Sequence, residues 1–194
     1  PRVDALTVAV MGMGGKVVEK FRQPIRRGTR VDELAVITGR VIAKFRNALS
    51  PEALLTGIGV AIPGQIQINK GIVRSAPSLG WDEVPFAAML SDITGLPVWL
   101  DNDASLSCVA ELRFGVGRGH QNLVLLFGAA GGIGGGAVIN GSLLRGIDGY
   151  AGELGHIRIS DSTTNDYSGI PGTLESLVRR EDLLKALIMA DADD

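Results

Sequence analysis

Three parts of this sequence have residue types and spacing suited to chemistry: a carboxylate after a strand, an E-x-x-H pair and a glycine-rich run. The stretch 125–156 reads LLFGAAGGIGGGAVINGSLLRGIDGYAGELGH. Two β-rich runs, 122–127 and 137–139, flank Gly128, Gly131, Gly132, Gly134, Gly135 and Gly136, which predicts a glycine-lined turn in a hairpin. Glycine keeps side chains away from backbone N–H groups, and those groups suit anionic oxygens, so phosphate is the ligand such a turn would take. A purely structural hairpin is the alternative. The letters Gly132-Ile133-Gly134-Gly135-Gly136-Ala137 also satisfy G-x-G-x-x-G/A, but a dinucleotide site opens a helix and here a strand follows. That reading is rejected.

Asp103 stands between an expected strand and an expected helix, where it could accept a proton from a hydroxyl nucleophile. The plainer reading makes it the cap of a helix starting at Ala104. No calcium loop follows Asp101-Asn102-Asp103, because the required glycine and terminal glutamate are absent. In Gly152-Glu153-Leu154-Gly155-His156, a helical turn would put Glu153 and His156 on one face, offering a charged acceptor and an imidazole to a polar ligand. Glu175 opens a further helix, where acidic residues also serve electrostatics alone.

The elements that must position these groups alternate between β and α. Strands at 7–10 and 16–21 are expected to pair across Gly12-Met13-Gly14-Gly15. A helix over 32–49 follows, with Leu34, Ile37, Val41, Ile42, Phe45 and Leu49 on its inner face. A buried strand over 55–62 stops at Pro63-Gly64, and 65–81 reads as loop. A short helix at 86–93, a strand at 98–100 and a helix at 104–114 complete this half, the last burying Leu106, Val109, Ala110 and Phe114. An amphipathic helix is expected shortly before the terminal Ala190-Asp191-Ala192-Asp193-Asp194. Such alternation predicts an α/β fold that binds ligands outside the carboxyl ends of its strands, where Asp101 to Asp103 fall.

With 194 residues, 45% of them hydrophobic, the chain can build a core, and a net charge of −2 offers nucleic acid no basic surface. Arg26, Arg27 and Arg30 read as a solvated loop. The single Cys108 excludes an internal disulfide and suits a reducing cytoplasm. No apolar run approaches the roughly 18 to 20 residues of a membrane span. Both ends are abrupt, so the sequence reads as a piece of a longer protein.

From about 57 to 175 the sequence resembles the ROK family, which groups repressors with sugar kinases inside the actin–hexokinase fold. The matching pieces are Ala61-Ile62-Pro63-Gly64, Ser75-Ala76-Pro77-Ser78-Leu79-Gly80-Trp81, Leu96-Pro97-Val98, Asn102-Asp103-Ala104, Phe114-Gly115-Val116-Gly117-Arg118-Gly119, Gly132-Ile133-Gly134-Gly135-Gly136 and Gly149-Tyr150-Ala151-Gly152-Glu153-Leu154-Gly155-His156. Their order and spacing match as well. The resemblance implies an actin-like ATPase/hexokinase (ribonuclease H-like) α/β fold of two lobes, 1–104 and 105–194, truncated at both ends and lacking the first strand. It further implies that Asp103 stands where kinases keep the base that deprotonates the sugar hydroxyl. Asn102, Glu153, His156 and Glu175 stand where sugar hydroxyls are held, and Gly64 lies in the sugar-side loop.

The departures bear on kinase against regulator. Family kinases place Asp-Gly-Gly-Thr after the first strand, and Arg2-Val3-Asp4 occupies the corresponding end here. Their second phosphate loop carries Gly-Thr-Gly where this chain has Ala130-Gly131-Gly132, so a phosphate-binding hydroxyl is lost. Zinc-bearing members join the Gly-His histidine to three cysteines in C-x-C-G-x-x-G-C-x-E, replaced here by Asp166, Ser168 and Thr173 around Gly169 and Gly172. Without thiolates no zinc is expected, His156 is released from ligation, and the loop 161–171 should be looser.

The expected function is the sugar-sensing effector domain of a ROK-type transcriptional regulator, binding a sugar or sugar derivative between the lobes at Gly64, Asn102, Asp103, Glu153, His156 and Glu175. DNA would be read by a helix-turn-helix absent from this chain. The location would be cytoplasmic, without membrane contact, as a homo-oligomer and with no cofactor. The alternative is an ATP-dependent kinase of a hexose or amino sugar, with Asp103 as base, Gly131, Gly132, Gly134 and Gly135 on the phosphates, and ATP with Mg required. A third reading is a scaffold that binds no small molecule.

Overall fold

The computed structural model describes residues 5–26, 28–129, 132–147, 149–166 and 168–178. By their contacts they fall into two units, residues 5–106 with 147 and 149, and residues 107–146 with 150–178. Arg2, Asp4, Arg27, Ala130, Gly131 and the expected terminal helix lie outside the described residues.

In the first unit, β1 (Ala5–Met11) and β2 (Val17–Pro24) form the expected antiparallel hairpin. The alternation of strand side chains sends Leu6 and Val8 against the core. Helix α1 (Val31–Ala48) carries Asp32 and Glu33 in its first turn and Arg46 in its last, the arrangement its dipole favours. Leu34, Thr38, Val41, Ile42 and Phe45, spaced three and four apart, are buried, while Leu49 caps the helix from outside it. Arg30 is exposed and pairs with Asp32 at 2.7 Å.

Strand β3 (Ile58–Ile62) is followed by β4 (Gln65–Gln67), β5 (Ile72–Ala76) and β6 (Trp81–Val84). The last three form an antiparallel sheet in the order β4-β5-β6, where the sequence predicts loop. The strands are too short to show a period. Each carries one or two inward residues, Ile66, Val73, Ala76 and Trp81, which are buried, while Gln65, Arg74, Asp82 and Glu83 are exposed. Helix α2 (Phe86–Thr94) ends at Gly95, and β7 (Val98–Asn102) pairs parallel with β3. Leu34, Ile42, Ile62, Phe86, Leu90 and Leu100 join Trp81 in one core, with the Trp81 and Phe86 rings 5.0 Å apart.

Helix α3 (Asp103–Phe114) departs from its expected inner face. Ala104, Ser105 and Cys108 are buried, whereas Ala110 is exposed and Phe114 is 60% exposed. Small side chains on the buried stripe let the helix lie close to its surroundings, which a stripe of large residues would prevent. Burial pushes the Cys108 thiol up, as fits a packed and unreactive cysteine.

The second unit holds β8 (Leu123–Ala129), β9 (Gly132–Ile139) and β10 (Ser142–Leu143), in the order β10-β9-β8. Gly128, Gly132, Gly134, Gly135 and Gly136 therefore belong to strands, not to the turn the sequence predicts. The cause is packing across the strand. A Cβ on Gly135 would lie 2.7 Å from Leu154 Cδ1 and 2.9 Å from the Leu125 carbonyl oxygen. Bare backbone in β9 lets the 3-10 turn Leu154–His156 rest directly on it. The short helix α4 (Leu174–Leu177) completes the unit. Among the described residues, no helix is long and apolar enough to cross a membrane.

Candidate functional site

Each unit gathers three of the residues singled out from the sequence. In the first, the parallel pair β3–β7 aligns Ile62 with Asn102, so both strands end together. Pro63 then turns the chain and Gly64 adopts φ 147°, a conformation L side chains rarely take. Its carbonyl oxygen accepts a 3.0 Å hydrogen bond from Asn102 Nδ2. Asn102 Oδ1 in turn accepts from Ser105 N–H at 3.0 Å, the bond of a helix N-cap. The cap expected of Asp103 thus falls one residue earlier. Asn102 keeps one Nδ2 hydrogen for a ligand.

Asp103 lies in the first turn of α3, its Oδ1 accepting from Ala104 N–H at 2.9 Å. Burial raises its pKa against the opposing pull of that hydrogen bond, so the carboxylate holds a proton more tightly than an exposed aspartate. This strengthens it as an acceptor for a hydroxyl hydrogen. Asp103 also lines a cavity of about 600 Å³ whose other walls are β1, β3 and apolar core residues such as Phe45 and Trp81. Walls so poor in hydrogen-bonding side chains do not suit a sugar ring, whose hydroxyls need partners.

In the second unit the Leu154–His156 turn begins beside the exposed Glu153, whose carbonyl oxygen accepts from His156 N–H at 3.1 Å. Glu175, buried on α4, reaches β9, where its Oε2 accepts from Ile133 N–H at 3.1 Å. Gly132, at φ 133°, leaves room for this carboxylate, since a Cβ there would come within 2.6 Å of Oε2. His156 Nδ1 lies 2.8 Å from Asp166 Oδ2, and Thr173 Oγ1 donates to the same oxygen at 3.0 Å. Asp166 Oδ1 accepts from Ser168 N–H and Ile170 N–H, both at 2.9 Å. The sequence marks Asp166 and Thr173 only as replacements for cysteine. Their mutual contact, and the bonds by which Asp166 holds Ser168 and Ile170 N–H, are visible only in the fold.

Burial works against charge on His156, but the Asp166 hydrogen bond and the fields of Glu175, Asp166 and Glu153 outweigh it and raise its pKa. Burial likewise opposes ionisation of Asp166, and its bonds from His156, Ile170, Thr173 and Ser168 prevail, holding it below the usual carboxylate range. A histidine pKa raised above 6.5 contributes stability that is complete below that pH and fades as pH climbs through the folded value. The aspartate's contribution is lost only as acid drives pH below 3.8 toward its folded value. The pair is therefore strongest between about pH 4 and 6.5. Urea unfolding should show wild-type stability declining as pH rises above about 6.5 more steeply than that of His156→Gln, and equal slopes would contradict the pairing.

The set His156, Asp166, Ser168 and Thr173 does not fit zinc. It offers one imidazole, one carboxylate already accepting four hydrogen bonds and no thiolate, and Thr173 Oγ1 also caps α4 through Ser176 N–H. Among the described residues, no three His, Cys, Asp or Glu side chains form a group able to hold a metal. What remains is two sets of hydrogen-bonding groups, each within its own unit: the carboxylates of Glu153 and Glu175 with the imidazole of His156, and Asn102 with Asp103. Such groups suit a polyhydroxy ligand. Of the expected phosphate-binding glycines, Gly131 lies outside the described residues, and Gly132, Gly134 and Gly135 lie on β9.

A family model described as "ROK family" matches residues 3–187. A glucokinase from Halalkalibacterium halodurans is 35% identical over 158 residues, covering 79% of this chain and 47% of the relative. A putative xylose repressor from a Caldicellulosiruptor species is 31% identical, covering 99% of this chain and 49% of the relative. The crystal structure of a ROK family transcriptional regulator, a homolog of the E. coli MLC protein, superposes with a TM-score of 0.79 at 28% identity, over 96% of this chain and 48% of that one. The chain spans about half the length of the curated relatives it matches.

Proposed function

The chain belongs to the ROK family and has its actin-like ATPase fold, and from that premise we propose that it is the sugar-sensing part of a ROK-type transcriptional regulator. The observation that carries this reading is the bond from Ile133 N–H to Glu175 Oε2. A backbone donor of the glycine hairpin is already committed to a carboxylate, and a phosphate brought there would meet like charge. Loss of the hydroxyl before Gly132 points the same way. The residues that the family resemblance assigns to sugar, Gly64, Asn102, Asp103, Glu153, His156 and Glu175, are present in this chain, and each charged hydrogen bond to a ligand would contribute about 1.5 to 3 kcal/mol.

Such a protein would work in the cytoplasm, reading DNA through a helix-turn-helix outside this chain. Sugar changes DNA affinity only if it binds one state of the protein more tightly than the other, because equal affinity shifts nothing. Calorimetric titration of the full-length protein with hexoses, amino sugars and pentoses should find saturable binding of at least one. Absence of binding at millimolar concentration would remove the proposal.

A sugar kinase is the second reading, favoured by the raised pKa of Asp103 and by 35% identity to a glucokinase. ATP-dependent phosphorylation of a sugar by the full-length protein, abolished in Asp103→Asn, would make this the function. The regulator reading expects no turnover.

A further inference from the structure

We propose that Asp166 is the positioning residue of the sugar site in the second unit, doing by hydrogen bonds what zinc and three cysteines do in zinc-bearing members of the family. Its side chain is wholly inaccessible to solvent, and each oxygen serves two donors. One arm fixes the His156 ring. An ionised carboxylate can only accept, so Nδ1 carries the hydrogen and Nε2 is left to face a ligand, as an acceptor when the ring is neutral. The other arm holds Thr173, whose Oγ1 accepts from Ser176 N–H at 3.2 Å and whose carbonyl accepts from Ser176 Oγ at 2.7 Å, setting the start of the helix that carries Glu175. One buried carboxylate thus orders two of the groups assigned to the sugar.

The part concerning affinity rests on the sugar-binding reading above; the part concerning the imidazole does not. In Asp166→Asn, the amide oxygen must still serve Ser168 N–H and Ile170 N–H, which turns the amide hydrogens toward His156 and Thr173. Nδ1 must then accept, and the ring changes to the Nε2–H form.

Nitrogen-15 NMR of the full-length protein, above the pH at which the ring is neutral and with His156→Gln to assign the signals, reads this directly. The expected result is Nδ1–H in the wild type and Nε2–H in Asp166→Asn, with sugar Kd weakened about tenfold as the facing nitrogen changes from acceptor to donor. Melting of the wild type should not respond to a chelator or to added zinc. An unchanged tautomer in Asp166→Asn, or a melting temperature that falls with chelator, would overturn the proposal. Should Asp166→Asn fail to fold, Thr173→Val and Thr173→Ser provide the test: valine should weaken sugar binding several-fold and serine should restore it, whereas equal behaviour of the two would overturn it. If the wild type binds no sugar, the functional reading falls while the NMR result still decides the role of Asp166.

Discussion

Replacing Gly155 with alanine is expected to destabilise the protein by about 3 kcal/mol, at the upper end of what overpacking costs. The added Cβ would run into the Ile133 carbonyl oxygen, with the Ile133 carbonyl carbon at 2.9 Å and Glu175 Oε2 at 3.3 Å. These are backbone atoms of β9 and the end of a hydrogen-bonded carboxylate, so no flexible side chain can swing aside. Relief requires the Leu154–His156 turn to lift from the strand, which displaces His156. Sugar binding should disappear together with stability. Gly128→Ala on the neighbouring strand is the control, because a Cβ there meets nothing within 4 Å. It should change stability by less than about 0.5 kcal/mol. Urea unfolding of both variants decides the matter, and equal midpoints would show that close packing of the turn on β9 is wrong.

Asp103→Asn is expected to separate affinity from stability. Asn102, not Asp103, provides the side-chain cap of α3, and the lost dipole interaction of a first-turn acid, about 0.3 to 1 kcal/mol, is opposed by relief of the burial that raises the Asp103 pKa, so stability should change by less than about 1 kcal/mol. Asparagine retains an oxygen for Ala104 N–H. A sugar hydroxyl donating to the carboxylate would lose a charge-assisted bond, raising Kd roughly 10- to 150-fold. Asn102→Ala should lose stability as well as affinity. It removes the cap and the bond to the Gly64 carbonyl oxygen, lowering stability by about 1 to 2 kcal/mol. Calorimetry and urea unfolding on the same preparations would compare them. Unaltered sugar affinity in Asp103→Asn would remove this residue from the proposed site.

Family, fold class and the identities of the candidate residues were legible in the sequence because they reside in local order. The β1–β2 hairpin, α1, α2 and the separate strands β3 and β7 announce themselves through periodicity and through Gly and Pro stops within a few residues, whereas the parallel pairing of β3 with β7 does not. The motifs at Asn102-Asp103 and at 152–156 are contiguous, so their recognition needs no contact across the chain. The sheet β4-β5-β6 was not legible, since strands of three to five residues carry one or two inward side chains and cannot display a period. The inner face of α3 was missed for a related reason: hydrophobicity ranked Phe114 above Cys108, whereas close approach selected the small residues Ala104, Ser105 and Cys108.

What the tertiary structure alone decided is where hydrogen bonds go between residues distant in the chain. From the sequence, Asp166 and Thr173 are lost zinc ligands and the glycines of 132–136 are a phosphate turn. Folding joins Asp166 to His156 across ten positions and Glu175 to Ile133 across 42, and these bonds assign different roles. A carboxylate takes over the organisation of the loop, and the glycines become the bare surface on which the His156 turn and Glu175 rest. Local sequence determines which groups are available. Which donor meets which acceptor depends on the packing of β9 against the turn and α4, and no pattern along the chain encodes that distance.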